Sequence, residues 1–259
     1  MSYPYLRYGD QLPAVGVLQK LLSATGASLS ADGIFGSRTR EAVRQFQRPR
    51  GLGVDGIVGK NTWPRIAVAG VGRVNVVDCV DVFDPDLMRM EVRDIRRVGG
   101  SPIVIGGMSN GVEQAVMDVI RATRPGTVFL LRFHGHGAAG AAGISDGQGG
   151  IPGEHLSSIH TGNLARLRPV IGRLRTIFSA YGCVQFMHCS TGRGPHGRQL
   201  LNDIASELQV PVSAGTVDQL GGGLSTFRFE GPTFTAIPGG GTLRSWCRAL
   251  PDFGGMSVP

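Results

Sequence analysis

A short motif occurs twice near the start of this 259-residue chain, and it constrains the fold more than any other feature. Asp32-Gly-Ile-Phe-Gly-Ser-Arg-Thr39 returns as Asp55-Gly-Ile-Val-Gly-Lys-Asn-Thr62, which gives the pattern DGIxGxxT at an offset of 23 residues. The Asp-Gly pair of each copy predicts a tight turn, because glycine adopts a positive φ without steric cost. We expect a helix to begin after each turn, with Ser37 and Asn61 as N-caps.

Apolar side chains at helical spacing accompany the two turns, and arginines occupy another side of the second helix. The first stripe lies upstream of the repeat and the second lies between its copies: Val15, Leu18, Leu21 and Leu22, then Ala42, Val43 and Phe46. Residues 8–66 are therefore expected to form a compact bundle of three short helices.

This segment resembles the type-1 peptidoglycan-binding domain over nearly its whole length. The residues that carry the resemblance are Leu18-Gln19, Asp32-Gly33, Phe35-Gly36, Thr39, Ala42-Val43, Phe46-Gln47, Gly51-Leu52, Val54 to Gly59 and Thr62-Trp63. The resemblance implies a non-catalytic module, residues 1–68, that binds peptidoglycan or another cell-wall polymer and places an attached enzyme on the bacterial wall.

The charge distribution agrees with an anionic partner for this module. The formal net charge is +7, and residues 1–70 carry nine Lys or Arg against four acids, so most of the excess lies there. A basic module suggests an anionic ligand, and from charge alone nucleic acid, acidic lipid and wall polymer stay open. The family resemblance favours the wall polymer over nucleic acid.

Composition excludes several other classes of protein. With 41% hydrophobic and 17% charged residues, the chain can form a core and is not expected to be disordered or fibrous. No apolar run reaches the roughly 18–20 residues of a membrane span, and the start shows no secretory signal. We therefore expect a protein of the cell wall, periplasm or extracellular space that arrives by a route not visible in the sequence, with a cytoplasmic stage before release left open.

The remainder of the chain, residues 74–259, alternates apolar and amphipathic runs after a linker at 64–73. The expected strands are 74–82, 103–105, 128–133, 183–188 and 210–213, and the expected helices are 86–97, 112–124, 164–180 and 198–208. Residues 227–230 and 234–237 suggest a terminal hairpin or edge pair. This alternation predicts an α/β domain with a mainly parallel sheet covered by helices on both faces.

Two of these strands end in residues that can carry chemistry. The strand at 128–133 is followed by His134-Gly-His-Gly137, and the strand at 183–188 is followed by Cys189. Carboxyl ends of parallel strands meet at one edge of a sheet, so a His and a Cys are expected to face each other there. A nearby imidazole favours the nucleophilic thiolate, and exposed backbone N–H groups of glycines suit an oxyanion pocket.

These two segments resemble the caspase-like cysteine peptidases, which include caspases, gingipains, separases and the bacterial CHAT-type domains. Phe133-His-Gly-His-Gly137 is similar to their Phe-x-Gly-His-Gly, and Met187-His-Cys-Ser-Thr-Gly192 is similar to their Ser-Ala-Cys-x-Thr-Gly. The resemblance implies an endopeptidase with His136 and Cys189 as its catalytic dyad, and with the N–H groups of Gly137 and Cys189 as its oxyanion pocket. It implies no cofactor and a protein or peptide substrate.

The sequence leaves several alternatives open. His134 is the second candidate for the dyad, and His188 occupies a position where the family has a small residue. Asp146 could select a basic substrate residue, although an Asp before Gly147 is more typical of a turn. A peptidoglycan hydrolase dependent on zinc or cysteine, with zinc ligands drawn from the histidines and Cys189, is one alternative function. A wall-binding protein with an inactive caspase-like domain is the other.

Overall fold

The computed structural model describes residues 1–106, 111–144 and 158–254. The N-terminal region contains three helices, α1 (Pro13–Ala24), α2 (Ser37–Gln47) and the single turn α3 (Trp63–Ile66), so the predicted three-helix region is confirmed. The predicted N-caps are wrong. Gly36 and Thr62 occupy those positions, and neither helix start has a side-chain cap.

The repeated motif has a repeated hydrogen-bond network as its physical basis. The Gln19 amide nitrogen donates to Asp32 Oδ1 (2.9 Å), Ile34 O (3.1 Å) and Thr39 Oγ1 (3.0 Å). Gln47 repeats this pattern, and its amide donates to the equivalent atoms of the second copy: Asp55 Oδ1, Ile57 O and Thr62 Oγ1. Each glutamine therefore fixes the turn of one DGIxGxxT copy against the end of the preceding helix.

The rest of the chain forms an α/β arrangement. In chain order its elements are β1 (Asn75–Asp81), α4 (Pro85–Arg97), β2 (Ile103–Ile105), α5 (Gly111–Ala122), β3 (Val128–His134), β4 (Gly137–Ala138), β5 (Ala141–Gly143), β6 (Ser158–His160), α6 (Leu164–Ile171), β7 (Phe178–Phe186), α7 (Gly194–Leu208), β8 (Val212–Gly215), β9 (Thr233–Ala236) and α8 (Leu243–Ala249). The main sheet has the order β2-β1-β3-β7-β8-β9, and every neighbouring pair is parallel except β8 with β9. The prediction of a mainly parallel sheet is confirmed.

Two of the predicted elements are wrong. The predicted helix over 164–180 ends at Ile171 and continues as the 3-10 turn Gly172–Ile177, and β7 already begins at Phe178. Pro169 inside α6 removes a helical hydrogen bond, which favours this early end. The predicted terminal hairpin does not form, because residues 227–230 are not a strand and β9 pairs with β8 instead.

The two faces of the sheet are covered differently. On one face α5, α6 and α7 pack against inward side chains such as Leu131 and Val184. On the other face, Phe129, Leu130, Tyr181 and Cys183 belong to the same apolar cluster as the buried side chains of α1 and α2. The helical region and the sheet therefore share one hydrophobic cluster.

The segment expected to be a linker takes part in this packing. Trp63, Ile66, Ala67 and Ala69 are buried, and residues Ala67–Gly70 form a 3-10 turn. The boundaries 1–68 and 74–259 stay a prediction, since a shared cluster does not fix a boundary. Within the described residues, no helix has both the length and the apolar character needed to cross a bilayer.

Replacing Phe129 by Ala tests the shared cluster. Phe129 is fully buried, and its ring centroid lies 6.1 Å from that of Trp63. We expect a loss of about 3–5 kcal/mol in the free energy of unfolding, because the cavity opens between the sheet and the helical region. Calorimetry should show one unfolding transition that moves as a whole.

The control is Val71→Ala, at a side chain that is 76% exposed, with an expected change within about 0.5 kcal/mol. Two separate transitions, of which only one responds to Phe129→Ala, would contradict a shared cluster.

Candidate active site

The carboxyl ends of β3 and β7 form one edge of a cleft with a volume of about 360 Å³. The two strands are parallel neighbours in the sheet, which places the residues after His134 beside the residues after Phe186. His136 and Cys189 both line this cleft, together with Asp84 and Gln219. The structure therefore brings the two residues of the expected dyad to one site.

The β4–β5 hairpin ties the two strand ends together. Gly143 N donates to His136 O (2.8 Å), so the backbone of His136 is held by β5. From the other strand end, Thr191 Oγ1 donates to Ala141 O (2.9 Å), and Gly140 N donates to Thr191 O (3.2 Å). The segment of His136 and the segment of Cys189 are thereby fixed relative to each other.

Gly137 lies in the closest part of this contact. A Cβ atom at this position would come within 2.7 Å of the Cβ of His188 and 2.8 Å of Thr191 Oγ1, so only glycine fits. His136 and Gly143 form a hydrogen-bonded pair of the ladder, so the next pair, Gly137 with Ala142, is a non-hydrogen-bonded one. The N–H of Gly137 therefore points away from β5, and the N–H of Cys189 has no acceptor among the described residues.

The His136 imidazole is accessible and has a carboxylate partner. Its side chain is 55% exposed, and Nε2 lies 3.0 Å from Asp84 Oδ2. Asp84 also caps α4, because its Oδ1 accepts hydrogen bonds from Asp86 N and Leu87 N. The hydrogen bond to His136, with those to the helix, lowers the pKa of Asp84. An ionised Asp84 can therefore orient the His136 ring.

The Cys189 thiol is half-buried and held by the loop that follows β8. Sγ donates to Gln219 O at 3.3 Å and accepts from Gln219 N at 3.3 Å. The next residue, Ser190, has a φ of +54°, which is uncommon for a residue other than glycine, and its N–H donates to Val217 O. Such backbone strain is typical of functional sites.

His134, the alternative dyad residue, lies below the cleft floor and is 1% exposed. Its Nε2 is 3.2 Å from Asp78 Oδ1 and its Nδ1 is 3.3 Å from Glu91 Oε2. Burial disfavours the imidazolium, but the two carboxylates outweigh burial and raise the pKa of His134. The two carboxylates thus favour the charged form of this buried imidazole, and His134 does not line the cleft.

His188 is fully buried and differs in its electrostatics. Burial lowers its pKa to about 4, and its Nε2 lies 2.9 Å from Gly143 O. The neutral ring therefore donates from Nε2 to that carbonyl and supports the hairpin. His134, His136, His188, Cys189 and His196 do not assemble as zinc ligands: in the described part of the chain no three His, Cys, Asp or Glu side chains form a metal-binding group.

Sequence reasoning missed the cleft residues that come from other elements. Asp84 precedes Pro85 directly after β1, and an Asp-Pro pair at a strand end is a signal for a helix cap near this edge. Gln219 contacts the Cys189 thiol through its backbone N–H and C=O groups, so the identity of its side chain could not indicate this contact from the sequence. Asp146, the candidate for substrate selection, lies outside the described residues, and its role stays a prediction.

Comparison with known proteins finds similarity in the N-terminal region. Residues 11–66 match the family described as "Putative peptidoglycan binding domain". Over 67 residues, 25% of this chain, the sequence is 42% identical to "Uncharacterized protein in bpoA1 3'region" of Kitasatospora aureofaciens, and it spans 57% of that protein's length. The family match supports an N-terminal peptidoglycan-binding domain with a cell-wall polymer as its partner.

One solved structure is also similar in sequence. It is the "Crystal structure of Burkholderia AP3 phage endolysin", which is 30% identical where aligned and covers 46% of this chain and 50% of that chain. The TM-score of 0.24 is too low to indicate a shared fold.

His134 provides a pH test of the ion cluster. Because its pKa is raised in the folded state, its contribution to stability is complete below the unfolded-state pKa of about 6.5 and is lost as the pH rises through the folded-state pKa. His134→Gln should cost about 3–5 kcal/mol at pH 6, because it removes the cation that faces Glu91 and leaves Asp78 with Arg132 as its remaining cation. Urea unfolding should be measured between pH 6 and 9. The difference in the free energy of unfolding between His134→Gln and the native protein should become smaller as the pH rises.

The matched control is His196→Gln, at an exposed histidine, which should leave stability nearly unchanged across this range. If the free energy of unfolding of His134→Gln differs from that of the native protein by the same amount at every pH, the buried imidazolium is contradicted.

Proposed function

We propose that this protein is a caspase-like cysteine endopeptidase targeted to the bacterial cell wall. The proposal rests on one observation, that His136 and Cys189 line the same cleft at the carboxyl edge of a mainly parallel sheet. His136 is the dyad histidine in this proposal because its ring is accessible, whereas that of His134 is enclosed by Asp78 and Glu91.

The first chemical step is acylation. His136 accepts the proton of the Cys189 thiol, and the thiolate attacks the carbonyl carbon of the scissile peptide bond. Negative charge develops on the carbonyl oxygen, where the N–H groups of Gly137 and Cys189 can donate to it. The C–N bond then breaks, His136 returns the proton to the leaving amine, and a thioester on Cys189 remains.

The second step is hydrolysis of the thioester. His136 removes a proton from water, the hydroxide attacks the thioester carbonyl, and the C–S bond breaks. His136 gives that proton to the departing thiolate of Cys189, which restores the thiol, and the product acid ionises to a carboxylate. Asp84 stabilises the imidazolium that forms in each step, because its carboxylate lies 3.0 Å from Nε2.

The N-terminal domain supplies the location of the substrate. A wall-binding domain raises the local concentration of wall-associated peptide bonds around the cleft. The substrate is then a wall-associated protein or the stem peptide of peptidoglycan, and the site of action is the wall, the periplasm or the extracellular face of the cell.

A non-catalytic wall-binding protein is the second candidate, and one observation favours it. In the resting structure the two hydrogen bonds of the thiol are made to the Gln219 backbone, while Nε2 of His136 faces Asp84. Catalysis requires these contacts of the thiol to be replaced by contacts with His136 and the substrate. An inactive protein would keep them.

Thiol alkylation and cleavage distinguish the two candidates. Burial raises the pKa of the thiols of Cys79, Cys183 and Cys247, the last to about 12, so they hold almost no thiolate at neutral pH. We expect iodoacetamide to label Cys189 first by mass spectrometry and to abolish cleavage of a wall-peptide library. His136→Ala should slow both labelling and cleavage, with cleavage reduced about 10²–10⁴-fold.

Cys189→Ala should abolish cleavage and leave co-sedimentation with purified peptidoglycan intact, which separates catalysis from wall binding. Cleavage that persists in Cys189→Ala would overturn the dyad. Wall binding without any cleavage by the native protein would support the non-catalytic candidate.

Asp84→Asn tests the orienting carboxylate. Asn caps a helix as well as Asp does, so the thermal midpoint should change little, but its amide carries no charge to stabilise imidazolium. We expect kcat to fall about tenfold or more, as is typical for the loss of a hydrogen bond to a charged group.

The control is Asp86→Asn, which removes the same charge two residues later, where the carboxylate pairs with Arg89 and not with His136. An equal loss of activity in both variants would show that general charge, and not orientation of His136, is responsible.

A further inference from the structure

A second cavity, of about 400 Å³, lies between the segment that precedes α1 and the main sheet. None of the residues that line it lines the cleft of Cys189. Its volume falls within the range of sites that bind small molecules. The proposed peptidase reaction does not use this cavity.

The side chain of Gln185 forms part of its wall and has no hydrogen-bond partner. Gln185 belongs to the central strand β7 and is 2% exposed, yet the described residues offer its amide neither a donor nor an acceptor. The amide atoms of Gln185 are open to the cavity, whereas the neighbouring inward position in the strand, Cys183, is filled by a small apolar side chain. An amide in this place is expected where a ligand completes its hydrogen bonds.

Opposite charges line the same cavity. The carboxylate of Asp10 accepts a hydrogen bond from Arg7 N (2.7 Å), and burial raises its pKa. The guanidinium of Arg228 has no ion-pair partner in the part of the chain that the structure describes, and it lies 5.9 Å from the centroid of the Tyr5 ring. Arg228 also attracts Asp10, since its guanidinium opposes the effect of burial on the pKa of that carboxyl, so both charges of the cavity face the same space.

Aromatic rings complete the lining. Tyr5, Phe227 and Phe229 contribute apolar surface, and the strand β9 contributes the hydroxyl of Thr233. A ligand that matches these walls carries a carboxylate, a hydrogen-bond donor and an amide within a few bonds, beside an apolar group. A short peptide with a free carboxyl end has this composition.

We propose that this cavity binds the carboxyl end of a short peptide, with its carboxylate at Arg228, a backbone amide at Gln185 and an N–H or ammonium group at Asp10. The stem peptide of the cell wall is the source that the adjoining peptidoglycan-binding region favours, and the end of a protein chain has the same chemistry. The site is independent of Cys189 and does not rest on the proposed peptidase activity.

The test is calorimetric titration of the full chain carrying Cys189→Ala, with a synthetic tetrapeptide of the composition of the wall stem. We expect one binding site per chain. Gln185→Leu should weaken binding about tenfold or more, because the ligand loses its amide partner. The thermal midpoint of Gln185→Leu should stay nearly equal, because within the described residues the Gln185 amide makes no hydrogen bond that the variant would lose, whereas replacing a purely structural glutamine would lower it.

Arg228→Ala is the second variant, and it should weaken the same titration, whereas the control Arg166→Ala, an exposed arginine on α6, should not. The tetrapeptide amide, which lacks the terminal carboxylate, should bind at least tenfold more weakly than the acid. A second titration uses a tetrapeptide that contains L residues only. Tighter binding of this tetrapeptide than of the stem tetrapeptide assigns the ligand to protein ends, and the reverse order assigns it to the wall.

The proposal is overturned if the native cavity binds neither tetrapeptide, or if binding is unchanged in both Gln185→Leu and Arg228→Ala. Because the protein used cannot perform the proposed cleavage, failure here is distinct from failure of the proposed peptidase. If the native protein shows no cleavage but tetrapeptide binding is observed, only the proposed peptidase activity is contradicted.

Discussion

A buried cluster of charges connects most parts of this structure. Asp78 on β1 pairs with Arg132 (2.7 Å) and His134 (3.2 Å) on the adjacent β3, and the Ser2 hydroxyl also donates to it. These pairings hold the pKa of Asp78 at about 2, although burial opposes its charged form. A buried carboxylate is tolerated only when such partners offset its desolvation, so the cluster requires each of these elements to be in place.

The cluster reaches the candidate active site through Glu91. This residue of α4 faces His134 on one side and accepts a hydrogen bond from Gly222 N (3.0 Å) on the other. Asp94, one turn later, accepts from Gly223 N at 2.6 Å. The loop whose Gln219 backbone holds the Cys189 thiol is therefore anchored by the helix that Asp84 caps. The position of the thiol and the orientation of His136 depend on the same helix.

The sequence predicts best what local spacing and apolar patterning determine. The three helices of the N-terminal region, the parallel strands and the two strand ends with His136 and Cys189 follow from periodicity and topology rules. The predicted helix over 164–180 was too long because Pro169 ends α6 early, and because Phe178 to Phe186 is buried at all positions but one, a pattern that fits a helix or a buried strand. The ion cluster and Asp84 were missed because they join residues distant in sequence, and no local pattern shows which charges become buried together.

The shared apolar cluster has a consequence for how such a protein would work on a surface. A catalytic unit on a flexible tether can swivel and sweep a volume around its anchor. Here Phe129 and Tyr181 of the sheet pack with Trp63 and the side chains of α1, so one apolar cluster joins the helical region to the sheet that carries the cleft. Under the proposed function, this packing would limit the height and angle of the cleft above the bound polymer, and the geometry of the wall, as well as chemical identity, would select which bonds reach it.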